Sequence, residues 1–206
     1  RCGHYRKENA GMKFYYRLVY ILLWPFLKIR NPIHVRGREN IPQGAAVICA
    51  NHRSMLDPLI IANAFGWKHC LHFMAKAELV RVPFLGSILK KVGAIFVRRG
   101  ERDMSAIKSA LDCLKSGRKV AIFPEGTRVK DGQSAHARTG AAMLALRTDV
   151  PVVPVYLDNP ARRPFGKLNV VIGEPFRLAR RRSSRSELYK FSAEEILKKI
   201  SVLGKA

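Results

Sequence analysis

Residues 51–58 read NHRSMLDP, placing His52 and Asp57 five positions apart with no serine or cysteine motif of the nucleophile type around them. A histidine partnered by a carboxylate is a proton acceptor poised near neutral pH. On an ideal helix five residues turn through roughly 500°, leaving the two side chains about 140° apart. The pair therefore needs a strand-to-turn-to-helix path to meet. The run AAVICANH before it reads as a buried strand, delivering Asn51 and His52 to the carboxyl edge of an open α/β sheet, where ligands bind. Asp57 followed by Pro58 also reads as a helix start, with Asp at the N-cap and Pro at the first helical position. The two roles are compatible, because one carboxylate oxygen can serve the backbone and the other an imidazole N–H.

Two further stretches end at strand termini. FPEGTR, residues 123–128, follows the strand KVAIF, so Glu125, Thr127 and Arg128 emerge at its carboxyl end. Proline and glycine force a turn there that leaves peptide N–H groups free, and the Arg128 guanidinium suits two-pronged binding of a phosphate. The alternative is a mutual surface pair of Glu125 with Arg128. GAIFVRR, residues 93–99, ends a buried strand with Arg98 and Arg99, adding cations to the same rim.

These elements sit in an alternation of short β-type runs with helical ones, the pattern of a mostly parallel sheet flanked by helices. Strands are expected at His34–Arg36, Ala45–Ala50, Leu71–Ala75, Ala94–Arg98, Val120–Phe123, Val152–Leu157 and Asn169–Ile172. Helices are expected at Pro58–Phe65, Val80–Lys91, Asp103–Lys115, Thr139–Arg147 and Glu187–Leu203. In the third of these, Met104, Ile107, Leu111 and Leu114 recur at helical spacing as one apolar stripe, and Gly117 closes it.

The 206 residues are the size of one large domain, and 38 Lys+Arg against 15 Asp+Glu give a formal net charge of +23. Such an excess points to an anionic partner: nucleic acid, an anionic membrane surface or a phosphorylated substrate. Nucleic-acid modules place stacking aromatics among their cations. Here the densest aromatic cluster is FYYRLVYILLWPFLKI, Phe14–Ile29, interrupted by Arg17, Pro25 and Lys28. That segment is too short to cross a bilayer, which takes about 20 apolar residues. It suits a helix lying in the headgroup region, and its competing reading is a helix packed on its own domain. Residues 1–11 are set aside from fold reasoning, and the chain divides into an N-terminal segment, 1–30, with the interfacial helix, and one folded domain, 31–206. The basic stretch RLARRRSSRS, residues 177–186, reads either as a solvated loop or as a contact for anionic lipid. Cys2, Cys49, Cys70 and Cys113 lack paired spacing and three lie in apolar runs, indicating a reducing compartment and no metal site.

Taken in order, NHRSMLD, GAIFVRR, FPEGTR and VPVVPV (residues 150–155) resemble the four blocks of the glycerolipid acyltransferases, most of all bacterial 1-acyl-sn-glycerol-3-phosphate acyltransferases. The resemblance covers roughly residues 33–175. It implies an α/β acyltransferase fold, an acyl-CoA or acyl carrier protein donor and a lysophosphatidate acceptor. No cofactor and no nucleic acid are expected, and the charge with the apolar segment places the protein at the cytoplasmic face of an anionic membrane, peripheral or monotopic. The resemblance makes His52 the catalytic histidine and Asp57 its partner. Glu125, Gly126, Thr127 and Arg128 match the acceptor-binding block, and Arg99, beside Arg98, matches the arginine of the second. Arg98 and Val129 depart from common residues of the pattern and keep glycerol 3-phosphate or another lysolipid open as acceptor. A non-catalytic basic membrane- or nucleic-acid-binding protein is the competing class, but it would not need His52, Asp57, Glu125 and Arg128 grouped at strand ends. On the acyltransferase reading the substrate supplies the missing nucleophile, a glycerol hydroxyl whose proton His52 takes.

Overall fold

A computed structural model of the chain describes residues 2–98, 103–127, 137–158 and 166–205, with backbone only at 2–10, 26–28 and 30. Helix α1 (Cys2–Arg30) leads into β1 (Ile33–Arg36), β2 (Ala46–Ala50), α2 (Asp57–Phe65), β3 (Leu71–Lys76), α3 (Leu85–Lys91), β4 (Ile95–Val97), α4 (Met104–Lys115), β5 (Lys119–Ile122), α5 (Gly140–Thr148), β6 (Val152–Asp158), β7 (Leu168–Ile172) and α6 (Arg185–Leu203). All seven expected strands are present within two residues of their expected ends.

The strands form one sheet in the order β1-β7-β6-β2-β5-β3-β4, parallel throughout except for the antiparallel pair β6–β7. β2 lies at the middle of the sheet, and all five of its residues are buried, as an apolar run without alternation requires when helices cover both faces. Val47 and Cys49 belong to the core on the side of α4, α5 and α6, which also holds Ala106, Ala110, Ala142 and Ile196. Ala46, Ile48 and Ala50 face the opposite layer, where Ile60, Ile61 and Ala64 of α2 pack. Burial pushes the thiol of Cys113, in the first of these cores, up to about 11.

Three expectations change in detail. The α4 face that enters the core is Ala106, Ala110, Cys113 and Leu114, while Met104 is exposed. Small side chains let the helix sit close to the sheet, and the larger apolar residues border it. Asp103 caps this helix, its carboxylate accepting from the Ser105 and Ala106 amides, which with the Ser105 hydroxyl holds its carboxyl down at about 2. Gly117, at φ 80°, follows one residue beyond the last turn, donating to the Leu114 carbonyl. The helix expected over Val80–Lys91 is broken: a 3₁₀ turn, Ala77–Arg81, precedes α3, with Pro83 and Phe84 between them. Pro83 has no N–H to continue a helix, and Phe84 adopts a positive φ. α1 extends through the apolar segment on both sides and packs against α2 and α3, burying Tyr16. Among the described residues no helix is long and apolar enough to cross a membrane.

Candidate active site

The chain leaves β2 at Asn51, whose side chain is clamped to the neighbouring strand: its Nδ2 donates to the Leu157 carbonyl at 2.9 Å and its Oδ1 accepts from the Leu157 N–H at 2.7 Å. Both bonds are buried, so the strand end is held as firmly as the ladder itself. From this fixed point His52 projects over the carboxyl edge of the sheet, and the turn 53–56 brings the chain back to Asp57. The geometry excluded for a regular helix is thereby reached: His52 Nδ1 lies 2.9 Å from Asp57 Oδ2.

Asp57 is wholly buried, and its Oδ2 accepts two more hydrogen bonds, from the backbone N–H groups of Arg53 and Ser54 at 2.7 Å each. The N-cap role expected for it is not the one observed. Leu56 occupies the cap, Asp57 is the first residue of α2, and the described carboxylate contacts run backward into the turn. The turn's successive N–H groups converge on the oxygen and form a small anion nest. An acid in the first turn of α2 is also favoured by the helix dipole. Because a carboxylate only accepts, the neutral imidazole that suits this contact carries its proton on Nδ1 and leaves the lone pair on Nε2. Nε2 is then the atom available to take a proton.

The histidine ring is fixed from its face by Phe123, stacked at a centroid distance of 4.0 Å and an interplanar angle of 20°. Phe123 opens the FPEGTR turn after β5, in which Gly126 donates to the Phe123 carbonyl. Gly126 takes φ 72°, and a Cβ there would lie 2.9 Å from Arg138 Cγ, so both conformation and space call for glycine. Glu125 turns back toward β2, and its Oε2 accepts the backbone N–H of His52 at 3.0 Å. Burial raises the Glu125 carboxyl above the usual range, and the His52 N–H works against that rise. His52 is thus tied to β6 through Asn51, to β5 through Glu125, and to α2 through Asp57.

The remaining expected site residues are spread more widely. Thr127 is exposed beyond the turn. Arg98 is exposed at the end of β4, which lies three strands from β2, about 14 Å across the sheet at about 4.8 Å per strand. Its N–H donates to Asp103 Oδ2. Arg99 and Arg128 lie outside the described residues, as does Val129. Among the described residues no group of three or more His, Cys, Asp or Glu side chains is arranged to hold a metal ion.

A feature not read from the sequence adjoins the histidine. A largely apolar groove of about 480 Å³ runs between α1, α2 and α3, floored by Leu71 and Phe73 of β3, and His52 is part of its wall. Leu23 and Trp24 of α1 and Leu85 and Leu89 of α3 form its sides. The aromatic N-terminal segment was the available signal, but its contribution to a wall depends on long-range packing against α3.

The site is thus a His–Asp pair at the central strand of a mostly parallel sheet, beside an apolar groove. The acyltransferase family model matches residues 32–158, and the chain belongs to that family. It is 33% identical over 158 residues to the 1-acyl-sn-glycerol-3-phosphate acyltransferase of Bacillus subtilis, covering 74% of this chain and 78% of that one. It is 36% identical over 151 residues to the enzyme of the same name from Borreliella burgdorferi, and 35% identical over 154 residues to a probable one from Mycoplasma pneumoniae. The matches span 60% and 58% of those two relatives, and 69% and 72% of this chain. The crystal structure of the 1-acyl-sn-glycerophosphate acyltransferase from Thermotoga maritima superposes with a TM-score of 0.67 at 28% identity, covering 96% of this chain and 80% of that one.

Proposed function

We propose that the protein transfers a fatty acyl group from an acyl thioester, acyl-CoA or acyl carrier protein, to the sn-2 hydroxyl of 1-acyl-glycerol 3-phosphate, giving phosphatidic acid. The observation that carries this reading is the His52–Asp57 pair opening onto an apolar groove. Such a site accommodates a hydrocarbon chain while presenting a base to the polar end of the molecule. The similarity to curated 1-acyl-sn-glycerol-3-phosphate acyltransferases supports the same acceptor.

In this mechanism the acceptor hydroxyl donates its proton to His52 Nε2 as its oxygen attacks the thioester carbonyl carbon. The C–S bond then breaks, and the imidazolium returns the proton to the departing thiolate. Asp57 holds the tautomer and faces the positive charge that develops on the ring. General-base assistance of this kind contributes about 10²- to 10⁴-fold. The nucleophile belongs to the substrate, so no acyl-enzyme forms and no cofactor beyond the donor is called for. Glu125, Gly126, Thr127 and Arg128 belong to the acceptor-binding block, in which the Arg128 guanidinium suits the phosphate, Arg98 and Arg99 are further substrate-binding candidates, and Glu125 also positions His52.

The enzyme works at the cytoplasmic face of a membrane without spanning it, with α1 in the headgroup layer: Phe14, Ile21 and Leu22 are each more than 60% exposed. The net charge of +23 serves attraction to that anionic surface rather than to nucleic acid. Purified protein given labelled lysophosphatidate, glycerol 3-phosphate and lysophosphatidylcholine with one acyl-CoA tests the assignment. Phosphatidic acid should be the main product, and EDTA should leave its rate unchanged. Preference for either other acceptor, or no transfer to any, would overturn it.

A further inference from the structure

The link between the 3₁₀ turn and α3 holds a residue that neither backbone preference nor burial explains. Phe84 has φ 59° and ψ −47°, and the Leu85 N–H donates across it to the Pro83 carbonyl at 2.6 Å. This is a γ-turn of the rare, strained hand, in a conformation that a residue with a side chain seldom adopts. The phenyl group is nonetheless 86% exposed, the most of any large apolar side chain described. The turn is not loose. Gly86 donates to the Val82 carbonyl at 3.0 Å and Ile88 to the Phe84 carbonyl at 3.0 Å, so the hydrogen bonding continues directly into α3. Gly86 also lies against Val80 so closely that a Cβ would stand 2.1 Å from its carbonyl oxygen. Strain that persists because its surroundings enforce it points toward function.

What is enforced is the presentation of an apolar tip. Val82, Leu85 and Ile88 are exposed around Phe84. Leu85 also belongs to the groove wall, as does Trp24 on the facing helix, so the tip stands at the mouth of the groove. Arg81, exposed, directly precedes the turn, whereas Lys90 and Lys91, at the far end of α3, line a separate hollow with Asp112, Lys91 lying 4.8 Å from the Tyr15 ring. The single acid between residues 77 and 92, Glu78, is engaged by Lys76 at 3.1 Å. An apolar tip beside an exposed arginine, on a chain of net charge +23, matches the interface of an anionic leaflet, with hydrocarbon below and negative headgroups around.

We infer that the γ-turn at Phe84 is a bilayer-inserting wedge, separate in sequence from α1, that seats the mouth of the groove in an anionic phospholipid leaflet so that a lipid acyl chain passes into the groove without crossing water. The purpose assigned to the wedge rests on the acyl-transfer reading; the insertion itself does not.

The test uses the full chain and vesicles of equal parts phosphatidylcholine and phosphatidylglycerol. Phe84→Gly suits the positive φ, so it should melt no lower than wild type while weakening vesicle partition by about tenfold or more, from the loss of one buried aromatic side chain. Its turnover on a short-chain, water-dispersed acceptor should match wild type, because Phe84 is not part of the groove wall. Phe84→Trp should retain partition, and its added emission should shift to the blue on vesicles and be quenched by brominated acyl chains. Wild-type partition in Phe84→Gly, or added Trp emission that stays unquenched on bound protein, would overturn the wedge, as would a tip that engages a protein partner and leaves vesicles unaffected. If Phe84→Gly misfolds, the Phe84→Trp quenching decides alone. Quenching as expected with no acceptor acylated would leave the wedge standing and remove acyl transfer.

Discussion

Removing Asp57 separates its structural and chemical roles, because substitutions there affect the turn and the imidazole to different degrees. Its Oδ2 accepts three hydrogen bonds, from His52 Nδ1 at 2.9 Å and from the Arg53 and Ser54 amides at 2.7 Å, and the residue has no exposed surface. In Asp57→Ala all three donors lose this acceptor, and each buried unsatisfied donor costs about 1–3 kcal/mol. Arg53 and Ser54 keep partial access to water, so a total of about 3–6 kcal/mol is expected, a large part of the roughly 5–15 kcal/mol that holds a typical domain together. In Asp57→Asn the amide oxygen takes the place of Oδ2 and accepts the same three bonds without charge assistance, which about halves their strength. The fold should lose only about 1–2 kcal/mol. Turnover should nonetheless fall about 10²-fold or more, because no negative charge faces the imidazolium, while KM for the acceptor stays near wild type. Urea denaturation and acyl-transfer kinetics on the same preparations give both numbers. An Asp57→Ala protein destabilised by less than about 1 kcal/mol, or an Asp57→Asn protein with wild-type turnover, would refute this account of the turn.

Burial raises the Glu125 carboxyl, so its protonation favours the fold as pH falls, and that contribution is lost as pH rises through the raised value. Glu125→Gln should therefore flatten the pH dependence of the melting temperature, keep an acceptor for the His52 N–H, and melt at neutral pH no lower than wild type; Glu125→Ala should melt lower and lose turnover, and equal melting of the two would remove the tie between β5 and His52. Gly86→Ala places a methyl against the Val80 carbonyl and should lower the melting temperature by several degrees, whereas Gly44→Ala, which meets nothing within 4 Å, should leave it within about a degree.

The parts of this architecture that local chemistry specifies were legible in the amino-acid order. AVICA lacks alternation because β2 is covered on both faces, whereas the Ser184–Glu187 capping box, which starts α6 two residues ahead of the expected Glu187, went unread although its S-x-x-E spacing was there. His52 and Asp57 were legible as a pair because the break between strand and helix was. What Asp57 does with its oxygens was not: an aspartate before proline has the local signature of a cap, and only the path of residues 53–56 shows its carboxylate gathering the turn's amides. Glu125 likewise looked like an acceptor residue or the partner of Arg128, since its bond to His52 spans 73 positions and depends on β2 and β5 being neighbours. Of the four apolar residues of Met104–Leu114 that satisfied the helical period, Leu114 enters the core and Leu111 packs on it, while the sheet took Ala106, Ala110 and Cys113 in place of the exposed Met104. Phe84 was hidden because the period of Val80–Lys91 fits one helix, and Pro83 was the sole local sign of the break.

If His52 Nε2 takes a proton from the substrate hydroxyl, His52→Ala must lower kcat/KM with acyl-CoA and 1-acyl-glycerol 3-phosphate, measured on protein shown to melt as wild type does. The substitution leaves Asp57 its two amide donors and the Asn51 clamp intact, so the fold should persist. The account predicts a fall of about 10²- to 10⁴-fold, expressed in kcat with the KM values for both substrates little changed. Turnover within a few-fold of wild type, in a protein with native melting, would contradict it.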